Sequence, residues 1–453
     1  MFIKTCSRSF LLSTFAVFLF AAPQAQAEIS ADGAAEPDVV SDAAPDEVFL
    51  EASDIQIADG DENMAVSSAF KKAVVDDGKI ILNVRFRYEF VDEVARAKDA
   101  NATNIRTRFG YETGLFHGFG IGADAEWTQG LGYERYNSTT NGHTAFPVVA
   151  DPDVAQLNQA FIKMEGVIPD TKVKVGRQRI IWDNHRFIGN VGWRQNEQTF
   201  DSARVVNASL PDTELEYVYI NKVHTIFGDD SNNGFEQMSS NLVHAAYSGF
   251  DLGKITGYAL MLDYDRPRSY GKSHWTTGVR FKGDYAVNDM WKVLYTGEYA
   301  HQESWKDNPD DYGVNYWFGE GGLTYSGAPL VGPITAKVGY EVLTGTGRNS
   351  FQTPLATLHL FQGWNDKFLT TPNNGITDLY LSAGTSIEGF KLYAAYHWFE
   401  AEHGNTNYGR EFDFDIKRKF YDHYTAQVTY GQYIAENFSS GTKKLWLSLI
   451  YNY

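Results

Sequence analysis

The stretch "NIRTRFGYET", residues 104–113, decides the fold class. Its polar side chains, Arg106 and Arg108 among them, alternate with apolar ones such as Ile105 and Phe109. Successive side chains of a β-strand point to opposite faces, so an extended segment with this pattern has one charged face and one apolar face. We therefore predict a β-strand here.

The same two-residue period recurs along most of the chain after Lys79. It is clear in residues 85–90, 121–127, 278–285, 334–342 and 412–420. A β-sandwich rarely needs such long strands repeatedly, whereas a tilted strand that crosses a bilayer needs ~9–11 residues. Short turns and long loops alternate between the segments. The pattern predicts an all-β fold: a transmembrane antiparallel β-barrel of about 18 strands, with short periplasmic turns and long extracellular loops.

The composition agrees with this fold class. Aromatic residues make up 15 % of the chain, and aromatic side chains suit a half-buried pleated surface. The sequence contains no apolar run of 18 residues after the N-terminal region, which argues against a helical membrane protein. Strands of a barrel need only alternating apolarity, so this observation leaves the barrel open.

The N-terminus predicts export. Lys4 and Arg8 give a positively charged n-region, residues 10–22 form an apolar run of secretory length, and residues 25–27 form a cleavage site with small side chains at its ends. We predict a signal peptide over residues 1–27 and not a membrane anchor, because the apolar run is too short to span a bilayer.

The rest of the chain divides into two parts. Residues 28–78 are acidic and poor in aromatic residues, so we expect a largely disordered segment there. Residues 79–453 form the predicted barrel. Cys6 is the only cysteine and lies in the predicted signal peptide, so we expect no disulfide in the mature chain.

The last ten residues, "KLWLSLIYNY", also alternate. Leu447 and Leu449 lie on one face and Ser448 on the other, and the chain ends on Tyr453. The segment resembles the final strand of bacterial outer-membrane barrels, which their assembly machinery recognises. We expect a location in the cell outer membrane, with the lipid bilayer and the barrel-assembly machinery as partners. The alternative is the final strand of a soluble β domain.

Arginines on the predicted strands and in the segment after residue 174 are candidates for a pore lining. A guanidinium group stays charged and binds carboxylates bidentately, so a ring of them would favour anionic solutes. The predicted pore-lining, anion-selective residues are Arg85, Arg87, Arg106, Arg108, Arg177, Arg179, Arg186 and Arg194.

A structural ladder is the alternative role for these arginines. In that case they pair across the wall with acidic side chains and fix the strand register without contacting solute. The possible acidic partners are Glu89, Glu112, Asp124 and Glu126. Both roles can hold at once. The parity at Arg177 is ambiguous, because Val173 and Val175 would share its face.

Three long blocks resemble the bacterial alginate-export family of outer-membrane porins. They are "KVGRQRIIWDNHRFIGNVGWRQNEQTFD" (174–201), "FPVVADPDVAQLNQAF" (146–161) and "TPLATLHLFQGWNDKFLTTPNNGITDLYL" (353–381). The resemblance covers roughly residues 80–453. It implies a monomeric 18-stranded barrel whose arginine-rich pore carries polyuronate. Many members of such a family are general or uptake porins, so the resemblance does not fix the solute.

The long loop over residues 344–375 carries Phe351, Trp364 and Phe368. It has two possible positions: folded inward as a constriction, or packed over the rim of the barrel. We expect the rim position.

Motifs for other chemistry are missing from the sequence. It contains neither a nucleophile elbow nor a phosphate-binding loop, and its 11 histidines do not cluster at metal-ligand spacings. We expect no enzymatic activity, catalytic residue, metal or cofactor, and no nucleic-acid partner for an acidic chain of net charge −18.

The sequence therefore predicts a porin for passive passage of anionic solutes, such as alginate, its oligomers or other acidic saccharides. A general or organic-acid uptake porin is the alternative. An outer-membrane hydrolase and a soluble periplasmic polysaccharide-binding β-protein are alternatives of other classes.

Overall fold

The structure is a computed structural model and describes residues 62–453. The predicted signal peptide lies outside the described residues, as do residues 28–61 of the acidic segment. The remaining part of that segment begins with helix α1 (Glu62–Lys71), which continues as a π-helical turn over Lys72–Asp76. Among the described residues, no helix combines the length and apolar character that crossing a bilayer requires.

Eighteen antiparallel strands follow, as the alternation predicted. They are β1 (Lys79–Glu93), β2 (Ala100–Glu112), β3 (Phe119–Gly130), β4 (Val154–Glu165), β5 (Thr171–Gln178), β6 (Thr199–Leu210), β7 (Thr213–His224), β8 (Phe235–Phe250), β9 (Gly253–Leu262), β10 (His274–Ala286), β11 (Trp291–Ser304), β12 (Gly313–Tyr325), β13 (Ile334–Leu343), β14 (Ile376–Ile387), β15 (Phe390–Glu400), β16 (Asn407–Phe420), β17 (Tyr424–Ala435) and β18 (Thr442–Asn452). Short 3₁₀ helices lie at Pro267–Lys272 and Leu358–Leu360.

The sheet closes on itself. Each strand pairs with its neighbours in the chain, and β1 pairs with β18 over a register that runs from Asn83↔Asn452 to Glu93↔Thr442. Closure removes the unpaired edges that an open sheet would expose to lipid. The predicted fold class, a closed transmembrane barrel, is confirmed.

The two faces of the wall follow the sequence alternation. On β2, the outward Phe109 side chain is 64 % exposed, whereas the inward Arg106 side chain is fully buried. On β3, Ile121 points outward and Asp124 inward. On these strands the apolar face lies on the outside of the closed sheet and the charged face lies toward the lumen, as in a transmembrane barrel.

Connections alternate in length around the barrel. The short turns include residues 251–252, 388–389 and 421–423, at the same end as the start of β1 and the end of β18. This is the periplasmic end. The extracellular end carries the long loops, of which residues 131–153, 179–198 and 344–375 are the longest.

Candidate functional site

Two of the long loops fold into the lumen. We call residues 179–198, between β5 and β6, the first inner loop, and residues 344–375, between β13 and β14, the second inner loop. In the second loop Phe351, Leu355 and Phe368 are buried in one apolar cluster with inward side chains of the wall. The expected rim position of residues 344–375 is therefore wrong. These apolar side chains find apolar partners inside the barrel, and a position over the rim would leave them in water.

The two inner loops are hydrogen-bonded to each other. The Gly189 amide donates to the Leu355 carbonyl at 2.9 Å, and the Thr357 amide donates to the His185 carbonyl at 3.1 Å. The Gln198 side-chain amide donates to both the Gly189 and Leu355 carbonyls, at 2.9 Å each. The loops thus form one body across the lumen, and displacing one of them breaks bonds to the other.

Arg186 connects this body to the far wall. Its Nε lies 2.8 Å from Oε1 of Glu341 on β13, and its Nη1 donates to the Thr353 hydroxyl at 3.1 Å. The guanidinium also lies over the Phe361 ring, 4.5 Å from the centroid. Arg186 is almost completely buried. Its role in this conformation is to hold the first inner loop against the second and against the wall.

Two arginines of β1 hold the first inner loop from the opposite side. Arg85 donates to the carbonyls of Gly192 (2.9 Å) and Arg194 and to the Gln195 side chain (2.8 Å). Arg87 donates to the Trp193 carbonyl at 2.6 Å, and its guanidinium lies 4.5 Å from the Trp193 ring centroid. Both arginines point inward as predicted, but the loop covers them.

On β2, Arg108 takes part in a buried ion network. It lies 2.6 Å from Glu126 on β3 and 3.5 Å from Glu197 of the first inner loop, and Glu197 also lies 2.5 Å from Arg179. Burial acts to raise the pKa of Glu197, but the positive charges of Arg108 and Arg179 outweigh it and lower that pKa to about 2. Glu197 is therefore anionic and fixes the loop to the arginine face of the wall.

The other predicted site residues have mixed positions. Arg106 is buried and donates to the Asn83 side chain. Glu89 pairs with Arg194 at 3.2 Å. Glu112 pairs with Lys163 at 2.6 Å, and Asp124 accepts from the amides of Asn158 and Gln159, at 2.7 Å each. Arginine is thus the partner of two of the four predicted acids, Glu89 and Glu126.

Arg177 requires a correction. It has the parity of Val175, whose side chain is 50 % exposed on the outer face, and it pairs with Asp201 at 3.0 Å and Asp229 at 3.4 Å near the extracellular end. It therefore does not line the pore. The apolar valines of β5 face lipid, and strand alternation takes Arg177 to the same side.

Cavities lie on both sides of the inner loops. The extracellular one has a volume of about 660 Å³ and the periplasmic one about 370 Å³. Leu355, His359 and Asp366 of the second inner loop face the extracellular cavity, whereas Phe361 and Trp364 face the periplasmic one. Among the described residues the two cavities share no lining residue. The second inner loop therefore lies between the two cavities and lines both of them.

The cavities differ in the sign of their charged lining. The extracellular cavity has five basic and three acidic side chains, namely Arg96, Arg194, Lys272, Lys367 and Lys444 with Glu93, Glu236 and Asp366. The periplasmic cavity has two basic and four acidic ones, namely Arg280 and Lys337 with Asp183, Glu320, Glu341 and Asp378. Arg194 is the predicted pore residue that lines the extracellular cavity.

Sequence reasoning missed the other charged residues of this cavity, Lys444 and Asp366 among them. Lys444 shares the inward parity of Ser448, so the alternation of β18 contains the signal for it. Asp366 lies in a loop without periodicity, and only the fold brings it to Lys444. Within the described part of the chain, no cluster of three or more His, Cys, Asp or Glu side chains is arranged to hold a metal ion.

Comparison with known proteins supports the fold independently. The family model described as "Alginate export" matches residues 77–419. No curated protein matches the chain.

Solved structures with the same fold include a BenF-like porin from Pseudomonas fluorescens Pf-5, with 13 % identity over 84 % of this chain and 100 % of that chain and a TM-score of 0.66. OccAB4 of Acinetobacter baumannii has 13 % identity over 83 % and 98 %, with a TM-score of 0.65. OccK11 (OpdR) of Pseudomonas aeruginosa has 16 % identity over 84 % and 97 %, with a TM-score of 0.62.

Proposed function

The chain belongs to the alginate export family, and from this premise we propose that it is a channel of the cell outer membrane for passive passage of anionic solutes, with acidic saccharides such as alginate oligomers as first candidates. The proposal includes no catalytic step, cofactor or metal. The barrel supplies a polar interior, and the inner loops set which solutes pass.

The observation that carries the proposal is the basic excess of the extracellular cavity. Arg194, Lys367 and Lys444 lie together on its inner side, and Arg96 and Lys272 lie nearer the extracellular end. Positive charges at the mouth of a narrow passage raise the local concentration of anions and lower their barrier to passage.

The buried arginines have a different role in this proposal. Arg85, Arg87 and Arg108 shape the passage by fixing the first inner loop, whereas Arg106 is buried and donates to Asn83 of the wall. Of the predicted ion pairs across the wall, Arg108 makes one, with Glu126, whereas Arg85 and Arg87 bond to carbonyls of the first inner loop. We propose solute contact for Arg194.

Uptake of small organic acids is the second candidate function. The inner loops leave cavities of about 660 and 370 Å³, which lie within the range of ~300–1,000 Å³ for small-molecule sites. Passage of a polymer would require the inner loops to move apart, whereas a small carboxylate needs a smaller displacement. The size of the cavities therefore favours small acids over long chains.

Reversal potentials in planar bilayers test the proposal. With the full-length barrel between unequal KCl concentrations, we expect a reversal potential of the sign for chloride selectivity. D-glucuronate should permeate faster than D-glucose in a vesicle assay, because the two differ mainly by the carboxylate. A cation-selective current, or equal permeation by both sugars, would exclude an anion-selective channel.

A further inference from the structure

The carboxylate of Asp366 lies among positively charged and hydrogen-bonding groups. Its oxygens lie 2.5 Å from Nζ of Lys444 on β18, 2.9 Å from Nη2 of Arg194 and 2.7 Å from Nδ1 of His359. Lys444 and Arg194 reach Asp366 from the wall and from the first inner loop, whereas Asp366 and His359 belong to the second inner loop. One carboxylate thus joins three separate parts of the lumen.

The same groups are what a protein uses to bind a carboxylate from solution. An ammonium and a guanidinium form short charge-assisted hydrogen bonds to carboxylate oxygens. Lys444, Arg194, His359 and Asp366 all line the extracellular cavity, and each side chain is nearly buried, so a solute in that cavity lies next to this cluster. The volume of the cavity, about 660 Å³, suits a small ligand.

Lys444 and Arg194 depend on Asp366 to different degrees for the neutralisation of their positive charges. Arg194 has a second acidic partner in Glu89, at 3.2 Å. The ion pair of Lys444 is with Asp366. If Asp366 withdrew, the nearly buried ammonium of Lys444 would lose this short ion pair and depend on its weaker attraction to Glu89. Desolvation makes a poorly paired buried charge costly. A carboxylate from solution would restore the balance.

Asp366 is also held in a left-handed backbone conformation, with φ of 60°. Aspartate and asparagine adopt this conformation more readily than most residues. The position therefore allows exchange of the carboxylate for the isosteric amide without a new backbone conformation.

We propose that Asp366 occupies a binding site for the carboxylate of a sugar acid, and that a solute carboxylate displaces it and thereby releases the second inner loop. This inference rests on the proposed function and adds to it a named site and a mechanism of opening. In the resting state the channel is closed by its own carboxylate. In the occupied state the solute holds Lys444 and Arg194, and the segment of residues 354–369 between the two cavities loses one of its attachments.

Two variants separate competition from simple loosening. Asp366→Asn and Lys444→Met both break the same ion pair, so both loosen the second inner loop. They have opposite effects on binding, however, because the first removes the competitor and the second removes part of the site. Asp289→Asn, an exposed change at the periplasmic turn between β10 and β11, is the matched control.

The experiment is calorimetric titration of the folded full-length barrel in detergent with D-glucuronate, with D-glucose as the neutral probe and heat-modifiable gel mobility as the check of folding. We expect Asp366→Asn to bind glucuronate about tenfold more tightly than the unmodified chain, because the site is no longer occupied by its competitor. Lys444→Met should lose measurable binding, Asp289→Asn should not differ from the unmodified chain, and glucose should not bind any of them detectably.

Unchanged or weaker glucuronate binding by Asp366→Asn would overturn the inference, as would equal binding of glucose. Bilayer measurements distinguish a failure of this inference from a failure of the proposed function. An anion-selective channel whose Asp366→Asn variant gains no affinity leaves the function standing and removes the displaced-carboxylate mechanism. A channel without anion preference removes the function itself.

Discussion

The imidazole of His359 lies stacked on the indole of Trp193, with ring centroids 4.1 Å apart and planes 14° from parallel. The two rings belong to different loops that enter the lumen from opposite sides of the wall. Trp446 of β18 contacts Trp193 edge-on, with ring centroids 5.2 Å apart, and the guanidinium of Arg87 on β1 lies over the Trp193 ring. The stack is therefore the place where both inner loops and the β1–β18 seam of the barrel meet.

Removal of Arg186 should open the channel. Arg186→Met breaks the buried ion pair with Glu341 and removes one attachment of the two inner loops to the far wall, and breaking such a pair costs ~3–5 kcal/mol. We expect a larger mean conductance and more frequent current steps in planar bilayers. Arg348→Met, an exposed change on the second inner loop, should behave like the unmodified chain. Identical traces for Arg186→Met and Arg348→Met would show that this ion pair does not hold the loops.

Acidic pH should also favour displacement of the inner loops. Burial lowers the pKa of His359 to about 4, although the negative charge of Asp366 acts in the opposite direction. Lys444 and Arg194 both contact the Asp366 carboxylate that faces His359. An imidazole exposed by displacement regains a pKa of about 6.5. The displaced state then binds more protons than the packed state between pH 6.5 and 4, so it gains stability as the pH falls through that window and the packed state gains as the pH rises.

The measurement is mean conductance between pH 7.5 and 4. We expect a rise towards low pH, with a limit of about tenfold in the population ratio per pH unit for one proton. His359→Gln should flatten the rise, whereas His403→Gln, an exposed change outside the lumen cluster, should retain it. A pH profile that does not depend on His359 would assign the titration to another group.

Arg87 and Arg194 should have separable effects on ion selectivity. Arg87 is covered by the first inner loop, so Arg87→Met should increase current fluctuations and leave the anion-to-cation permeability ratio unchanged. Arg194 lines the extracellular cavity, so Arg194→Met should lower that ratio by roughly two- to fivefold. Reversal potentials measure both. An equal loss of selectivity in the two variants would mean that Arg87 also meets the permeating ion.

The outer face of β14 should not tolerate charge. Leu381 is 50 % exposed on that face, whereas the next residue, Ser382, points into the periplasmic cavity. Leu381→Arg should lower the free energy of unfolding in lipid vesicles by ~2–4 kcal/mol, because a mid-membrane arginine must leave water. Ser382→Arg lies among acidic side chains and should cost far less. Urea titration with gel mobility as the readout compares them, and equal tolerance would contradict a lipid-facing Leu381.

Much of the fold could be predicted from the sequence because the strand pattern is local. The alternation at Arg106 and Phe109, and again at Leu447 and Ser448, follows from the requirement that each crossing strand present one face to lipid and the other to a polar interior. The parity argument also identified the direction of the Arg177 side chain as ambiguous, because that residue shares a face with the valines of β5. The inward direction of Arg85, Arg87, Arg106 and Arg108 was likewise readable.

The site was less predictable. The sequence does not reveal that the β1 arginines are covered by the first inner loop, because Arg87 and Trp193 are 106 residues apart and the segment between them has no fixed course until the barrel closes. The inward fold of residues 344–375 could not be decided either. Apolar side chains in a long loop are consistent with packing over a rim or inside a lumen, and the choice depends on the partners available in each place.

The sequence by itself predicted a barrel of about 18 strands with an apolar outside and charged side chains inside, since membrane and water act on every strand separately and leave a two-residue period. The tertiary structure alone decided which charges are accessible. Asp366, Arg194 and Lys444 come from distant parts of the chain, and they become neighbours because burial, ion pairing and ring stacking are satisfied together in one arrangement of the two inner loops. Such complementarity depends on three-dimensional proximity and has no local periodicity.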